Sequence, residues 1–466
     1  MVRAALVALL LCAGAVFAPA HAADGNLVVA ALQLLEEHYA KPVDDVGLLN
    51  AAIGALRKST GLDAGALPDI PDGTGASASL MFLDAFDRAV QSAAGSSTDL
   101  AYAATRAMLA SLHDSHVNFY EPAAFLELQR NLAGQASYAG IGVFVRSIKT
   151  PDGKSVAFVA APFPGGPAAR AGLRRFDRIL RVNGKDTSGM TAGKLAGVLR
   201  GPPGSSVAVT VKRATGRTVT VSIVRQAIQI PPVAASFIRP GVAYVRLLGF
   251  PSGTGGTLRT ALRALASHAA ISAMILDLRS NGGGLIREGR LVAGTLLPPG
   301  TVLGHTLERT HPPAELTSDG VPIVPADTPL IVLIDGGTAS TAELLTAGLR
   351  DAHRGPLLGE KTEGALGVAL RFPLPVGGME ITVSQVSGPR YEQIEGAGIS
   401  PDLPVDLTVA AVTRGEDTQL EAALRSLERP RASIPRVPVR RCSTWRLLPD
   451  PTIPSLSCAA AGRWNL

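Results

Sequence analysis

The apolar run Pro329-Leu330-Ile331-Val332-Leu333-Ile334 closes on Asp335. Gly336-Gly337-Thr338-Ala339-Ser340-Thr341-Ala342-Glu343 follows at once, then Leu344-Leu345-Thr346-Ala347-Gly348-Leu349. This order predicts a strand buried on both faces, a tight turn of small residues, and a helix. A serine in such a turn sits at a helix N-terminus, where unpaired N–H groups and the positive dipole end favour negative charge. Charge developing on an alkoxide or oxyanion would be stabilised there. The same serine also suits a plain N-cap. A second strand, Ala273-Met274-Ile275-Leu276-Asp277-Leu278, runs into Arg279-Ser280-Asn281-Gly282-Gly283-Gly284. Consecutive glycines let backbone approach a reacting atom without obstruction by Cβ. A phosphate cradle is the competing reading, and no lysine followed by serine or threonine supports it.

The pattern along the chain predicts a multidomain protein, part α+β and part α/β. Residues 1–22 read as a signal peptide: Arg3 supplies the charge, Ala4 to Phe17 the apolar stretch, and Ala20-His21-Ala22 a small-x-small cleavage site. Helical spacing over Leu27 to Tyr39, Met81 to Gln91 and Leu100 to Leu112 makes 23–135 a helical N-terminal region. Gly61 to Ser79 reads as a loop between these helices. Short strands (Val143–Val145, Val156–Val159, Arg178–Val182, Val207–Val211, Val219–Ile223) and one helix near Thr191 to Leu199 make 136–228 a β-rich module. Strands and helices alternate through 229–410, as in α/β architecture, whose sites form beyond the carboxyl ends of strands. Residues 411–466 form a C-terminal helix and a Pro/Arg-rich tail.

The formal charge of +6 comes largely from that tail, and no basic recognition helix with interleaved aromatics appears, so nucleic acid is not an expected partner. Apart from the signal, nothing is apolar enough to span a bilayer. Export, to a bacterial periplasm, is expected. Cys12 leaves with the signal, and Cys442 and Cys458 are candidates for one disulfide. Closing that loop would limit unfolded freedom by roughly 3 kcal/mol.

Pro167-Ala168-Ala169-Arg170-Ala171-Gly172-Leu173 and Asp177-Arg178-Ile179-Leu180-Arg181-Val182-Asn183-Gly184 resemble the signature of a PDZ domain. Tyr138-Ala139-Gly140-Ile141-Gly142-Val143 resembles its carboxylate-binding loop, which makes Gly140, Ile141, Gly142 and Val143 the peptide-binding candidates. Converging N–H groups there would hold a terminal carboxylate, and the next strand would pair with the peptide. Phe176 departs from the pattern, which has glycine before the aspartate; this should change the turn and leave the fold.

With Asp277-Leu278-Arg279-Ser280-Asn281-Gly282-Gly283-Gly284 and Thr338-Ala339-Ser340-Thr341-Ala342-Glu343 in this order, the chain resembles the C-terminal processing (tail-specific) serine peptidase superfamily. The resemblance implies a ClpP/crotonase-like α/β core. It makes Ser340 the nucleophile, with oxyanion N–H donors from Gly283 or Gly284 and from Thr341. One departure stands out. The Ser-Lys members carry a lysine where this chain has Ala365, and a glutamine where it has Ala369; a serine without a base is a poor nucleophile. The tricorn-core-like branch uses an upstream histidine and a late glutamate instead. Leu112-His113-Asp114-Ser115-His116-Val117 and Glu392-Gln393-Ile394-Glu395-Gly396-Ala397-Gly398-Ile399-Ser400-Pro401-Asp402 resemble those segments. His116 is then the base and Glu395 its orienting acid. His113 and Lys361 remain rival bases. Arg279 and Asn281 are read as holding loop geometry, and Glu343 as supporting the turn. The implied enzyme cleaves protein substrates, recognised through a C-terminus, by acyl-enzyme hydrolysis. It needs no metal or organic cofactor, and a homo-oligomer is left open. The alternative is a catalytically inactive PDZ-containing scaffold.

Overall fold

The computed structural model describes residues 20–428 apart from 94, 136, 151–152, 164, 230 and 309–311. The body of the expected signal, Cys12, and the Cys442–Cys458 pair lie outside the described residues. No described helix is long and apolar enough to cross a membrane. The chain divides into two compact units. One ends at Ala123 and also takes Ala369–Thr382; the other comprises Ala124–Val368 and the chain from Val383 onward.

The first unit holds helices Ala20–His38, Asp45–Thr60, Ala78–Ser92 and Ser97–Ala110. Leu35, Leu49, Ile53, Phe82 and Phe86 fill its core. Asp45–Thr60 is a helix that the sequence reading passes over. Asp44 caps it by accepting the Gly47 N–H at 3.0 Å, and Gly61 ends it in a left-handed conformation. Strand Asn118–Tyr120 pairs antiparallel with the start of Gly378–Ser387, Phe119 facing Met379. A segment from late in the chain thus completes the core of the early helices.

Within the second unit, an antiparallel sheet runs Val143–Lys149, Ser155–Pro162, Arg178–Val182, Ser206–Lys212, Thr218–Val224. Val207, Val209 and Val211 alternate inward onto Ile179, Val182, Leu195 and Leu199, the last two from helix Ala192–Leu199. Phe176 takes a left-handed φ of 65°, so the turn is kept in the conformation a glycine would adopt. Burial of its ring against Phe158, 6.0 Å away, and its N–H bond to Val159 O (2.8 Å) offset the backbone cost.

The same unit contains a six-stranded sheet in the order Val233–Arg239, Val242–Leu247, Ala273–Asp277, Leu330–Ile334, Leu357–Gly359, Leu403–Pro404. Only the first pair is antiparallel. Met274, Leu276, Val332 and Ile334 pack on one face with Leu258, Val292 and Leu345 from helices Thr254–His268, Ile286–Ala293 and Thr341–Asp351. Ile275, Ile331 and Leu333 pack on the other against Leu420 and Leu424 of Thr418–Leu427. Burial on both faces explains why these strands are continuous apolar runs. Both glycine turns leave adjacent parallel strands at their carboxyl ends.

Candidate active site

Ser340 joins the strand to the helix at φ 54° and ψ −123°, a backbone conformation that costs a non-glycine residue about 1–3 kcal/mol. The surroundings over-determine it. The Ser340 N–H is shared between Ala365 O (2.8 Å) and Glu343 Oε2 (3.1 Å). Glu343, third residue of the helix and fully buried, also accepts from Thr362 Oγ1 (2.6 Å), Gly364 N (2.8 Å) and Ala365 N (2.9 Å). Burial pushes its carboxyl above the ordinary range, against the pull of these donors. The Ser-x-x-Glu spacing carries the signal of this reciprocal cap, but not its reach to the 362–365 loop.

The glycine loop lies directly against Ser340. A Cβ on Gly283 would stand 2.7 Å from Ser340 Cβ and 2.9 Å from Thr341 N; Gly283 φ is also +90°. A Cβ on Gly284 would stand 2.7 Å from Phe250 O. Asn281, fully buried, ties the two turns. Its Oδ1 accepts the Gly283 N–H (3.0 Å), its carbonyl accepts the Ala339 N–H (2.9 Å), and its Nδ2 donates to Leu247 O (3.1 Å). Thr338 Oγ1 donates to Leu278 O (2.9 Å), and Thr341 Oγ1 to Gly284 O (2.8 Å). The N–H groups of Thr341 and Gly284 donate to no acceptor among the described residues. That of Gly283 is engaged by Asn281.

Beneath the loop, Arg279 forks to Asp277 (2.7 and 2.9 Å) and Asp417 (2.8 and 3.0 Å), and Tyr244 O–H donates to Asp277 (2.6 Å). Burial alone would raise both carboxyls, yet Arg279 holds them below the ordinary range, Asp277 far below. Arg279 and Asn281 therefore carry loop geometry, as their sequence context suggests.

Glu395 is half-buried and accepts the Leu366 N–H at 2.6 Å, one residue beyond the carbonyl that holds Ser340. Lys361 is exposed, its Cε within 3.3 Å of where a Gly398 Cβ would lie. His116 belongs to the first unit and Ser340 to the second. The His116 Nδ1 is 3.2 Å from Ser115 Oγ, and the main-chain N–H of His116 donates to Asp114 Oδ1 (3.0 Å). Asp114 is held in turn by Tyr39 O–H and Thr382 O–H, 3.0 and 2.8 Å away. His113 is exposed at φ 50°.

Gly140, Ile141 and Gly142 are buried, and Val143 opens the strand beside helix Ala192–Leu199. That strand and helix wall a cavity of about 610 Å³, lined on its apolar side by Ile141, Val143, Phe163 and Leu199. Ser280, Asp335, Gly336 and Gly337 complete the wall, so the groove opens onto the turn before Ser340. Arg146 crosses it to Asp335 at 2.5 Å; Asp335 also accepts the N–H groups of Ser280 (2.7 Å) and Gly337 (3.0 Å). Neither partner of this tie stands out in the sequence.

Residues 241–405 match the peptidase family S41 model, and 158–213 match a PDZ domain. The carboxyl-terminal-processing protease of Synechocystis is 33% identical over 69% of this chain and 76% of its own length. The chain belongs to peptidase family S41. The relative from Picosynechococcus, also named a carboxyl-terminal-processing protease, is 34% identical over 72% of this chain and 80% of its own. The solved photosystem II D1 C-terminal processing protease superposes with a TM-score of 0.51 and 27% identity, covering 85% of this chain and 98% of that one. Membership in S41 makes the chain a serine-type peptidase acting on protein, with the helical region, PDZ domain and peptidase core in the expected order.

Proposed function

We propose that this protein is an exported serine endopeptidase of the carboxyl-terminal-processing type. In this reading Ser340 attacks a peptide carbonyl, the oxyanion is held by the Thr341 N–H with an N–H from Gly283–Gly284, and an acyl-enzyme is resolved by water. His116 takes the serine proton and Glu395 orients the imidazole or stabilises its charged form. Gly140, Ile141, Gly142 and Val143 receive the C-terminal carboxylate of a protein substrate. The supporting observation is a positive-φ serine at a helix start, pressed against a glycine loop beside unengaged N–H groups. The names of the two cyanobacterial relatives support the C-terminal specificity.

A fluorophosphonate probe tests the nucleophile: labelling of the full chain, absent in Ser340→Ala, is expected. Turnover in His116→Ala should fall about 10²–10⁴-fold; turnover unchanged there but lost in Lys361→Ala would transfer the role to the lysine. Ala365 in place of the family lysine favours a second reading, a scaffold that binds C-termini without cleaving. No labelling of either wild type or Ser340→Ala would select it.

A further inference from the structure

We propose that the Arg178–Arg181 end of the PDZ sheet's outer face, beyond the part where Phe158 packs on Leu407 and Val412, is an oxyanion site for a phosphate-monoester group, separate from the peptide groove. In strand Arg178–Val182 a bulge falls between Ile179 and Arg181, leaving Arg178 opposite Lys212 and Arg181 opposite Thr210. Without it, period two would send Arg178 and Arg181 to opposite faces; with it, both share the face of Lys212 and Thr210 while Ile179 and Val182 turn into the core. Two cations directly opposed across an antiparallel pair repel. Arg178, Arg181 and Lys212 have no ion pair among the described residues, whereas the nearby Arg175 and Arg213 each hold an aspartate. The Arg178 Nε is buried without a hydrogen-bond partner. An anion accepting from it would satisfy that donor and screen the repulsion.

The two arginines line a cavity of about 370 Å³ together with Ser155, Ser188, Thr210 and Thr218. None of its lining residues lines the peptide groove. Asp186, opposite Arg181 in the register, is the one carboxylate in the wall; its Oδ1 accepts the Ser188 N–H at 2.5 Å, and it forms no ion pair with either arginine. Paired guanidinium forks with hydroxyl donors suit a tetrahedral dianion better than a planar carboxylate. A compact pocket, not a basic stripe, suits a single phosphoryl group. Its bearer is either a soluble phosphate ester or a lipid headgroup, and the two are separable.

Inorganic phosphate is titrated calorimetrically into the full chain at constant ionic strength set with chloride. Saturable binding is expected, at least tenfold weaker in Arg181→Gln and in Arg178→Gln. Arg217→Gln, on an exposed turn outside the cavity, should bind as wild type. Arg181 is exposed, so its variant should melt as wild type does. Absence of saturable binding, or equal binding by wild type and Arg181→Gln, overturns the proposal. Vesicles of phosphatidylcholine with and without phosphatidic acid then assign the source. Sedimentation that needs phosphatidic acid and Arg181 assigns a lipid headgroup; phosphate binding without sedimentation assigns a soluble ester.

Discussion

Gly283 shows how little room the site leaves at the level of single atoms. A methyl there meets Ser340 Cβ, Ala339 O and Thr341 N, all within 2.9 Å, on a backbone already at φ +90°. Gly283→Ala should therefore push the elbow away from the loop, lowering turnover about 10²–10³-fold, the scale of a lost oxyanion donor. Probe labelling should slow in parallel; a variant that labels at the wild-type rate would show that the two turns are not coupled. Glu343→Gln is a subtler change. Glutamine keeps the volume but sets an NH₂ group among four donors, leaving at least one unpaired at a cost of about 1–3 kcal/mol. Turnover should drop with KM unchanged, because Glu343 is not among the residues that line the proposed peptide groove. A rise in KM alone would contradict its positioning of Ser340. The serine turn and the glycine turn were both legible, since small residues after apolar runs have few other uses. The four-donor role of Glu343 was not, because its partners at 362–365 are remote in sequence and two of the four donors are backbone groups from that loop.

Among the elements, legibility followed local pattern. Strands Arg178–Val182, Val242–Leu247 and Leu330–Ile334 begin and end where apolar alternation or continuity places them. Helix Asp45–Thr60 escapes notice because Gly47 and Gly54 interrupt its apolar spacing, although Val46, Leu49, Ile53 and Leu56 keep the helical period. The strand Gly378–Ser387 shows the opposite limit: its pairing with Asn118–Tyr120 spans most of the chain, and no local signal announces such a partner. Helix Thr418–Leu427 is anchored by Asp417, whose oxygens serve Arg279, Arg175 and the Leu420 N–H. Asp277 and Asp417 both titrate below their ordinary value of 3.8, so the native state keeps them ionised where the unfolded chain would not. Their contribution is fully present above that value and is lost as pH falls through the depressed native values. Thermal stability should thus decline between about pH 4 and pH 2. Asp417→Asn should flatten part of that decline and cost about 3–5 kcal/mol at pH 7, because Arg279 stays buried with half its partners. Calorimetric melting across this range gives the answer, and parallel pH profiles for variant and wild type would refute the assignment.

At the scale of the whole molecule, the proposed function has the second unit join binding and chemistry through one shared cavity. The PDZ groove and the turn before Ser340 form its two walls, and the Arg146–Asp335 pair spans them. Asp335 is nearly inaccessible and Arg146 mostly so; solvent therefore screens the pair weakly, and its loss is felt on both sides. Removing the guanidinium leaves Asp335 with only backbone and hydroxyl donors, from Ser280, Gly337 and Thr338. Arg146→Ala should then loosen Asp335–Ala339 locally while the strand Leu330–Ile334, buried on both faces, stays protected. Hydrogen exchange of the full chain reads this directly: faster exchange at Ser280, Gly337 and Thr338, with Val332 and Leu333 unchanged. Because the same arginine lines the groove, affinity for a C-terminal peptide should also shift, whereas Arg213→Ala, which removes a cation paired with Asp177 inside the PDZ domain, should leave the turn undisturbed. Uniform exchange in all three proteins would mean that the turn is held by its own backbone hydrogen bonds, and that the groove and Ser340 share a cavity without sharing strain.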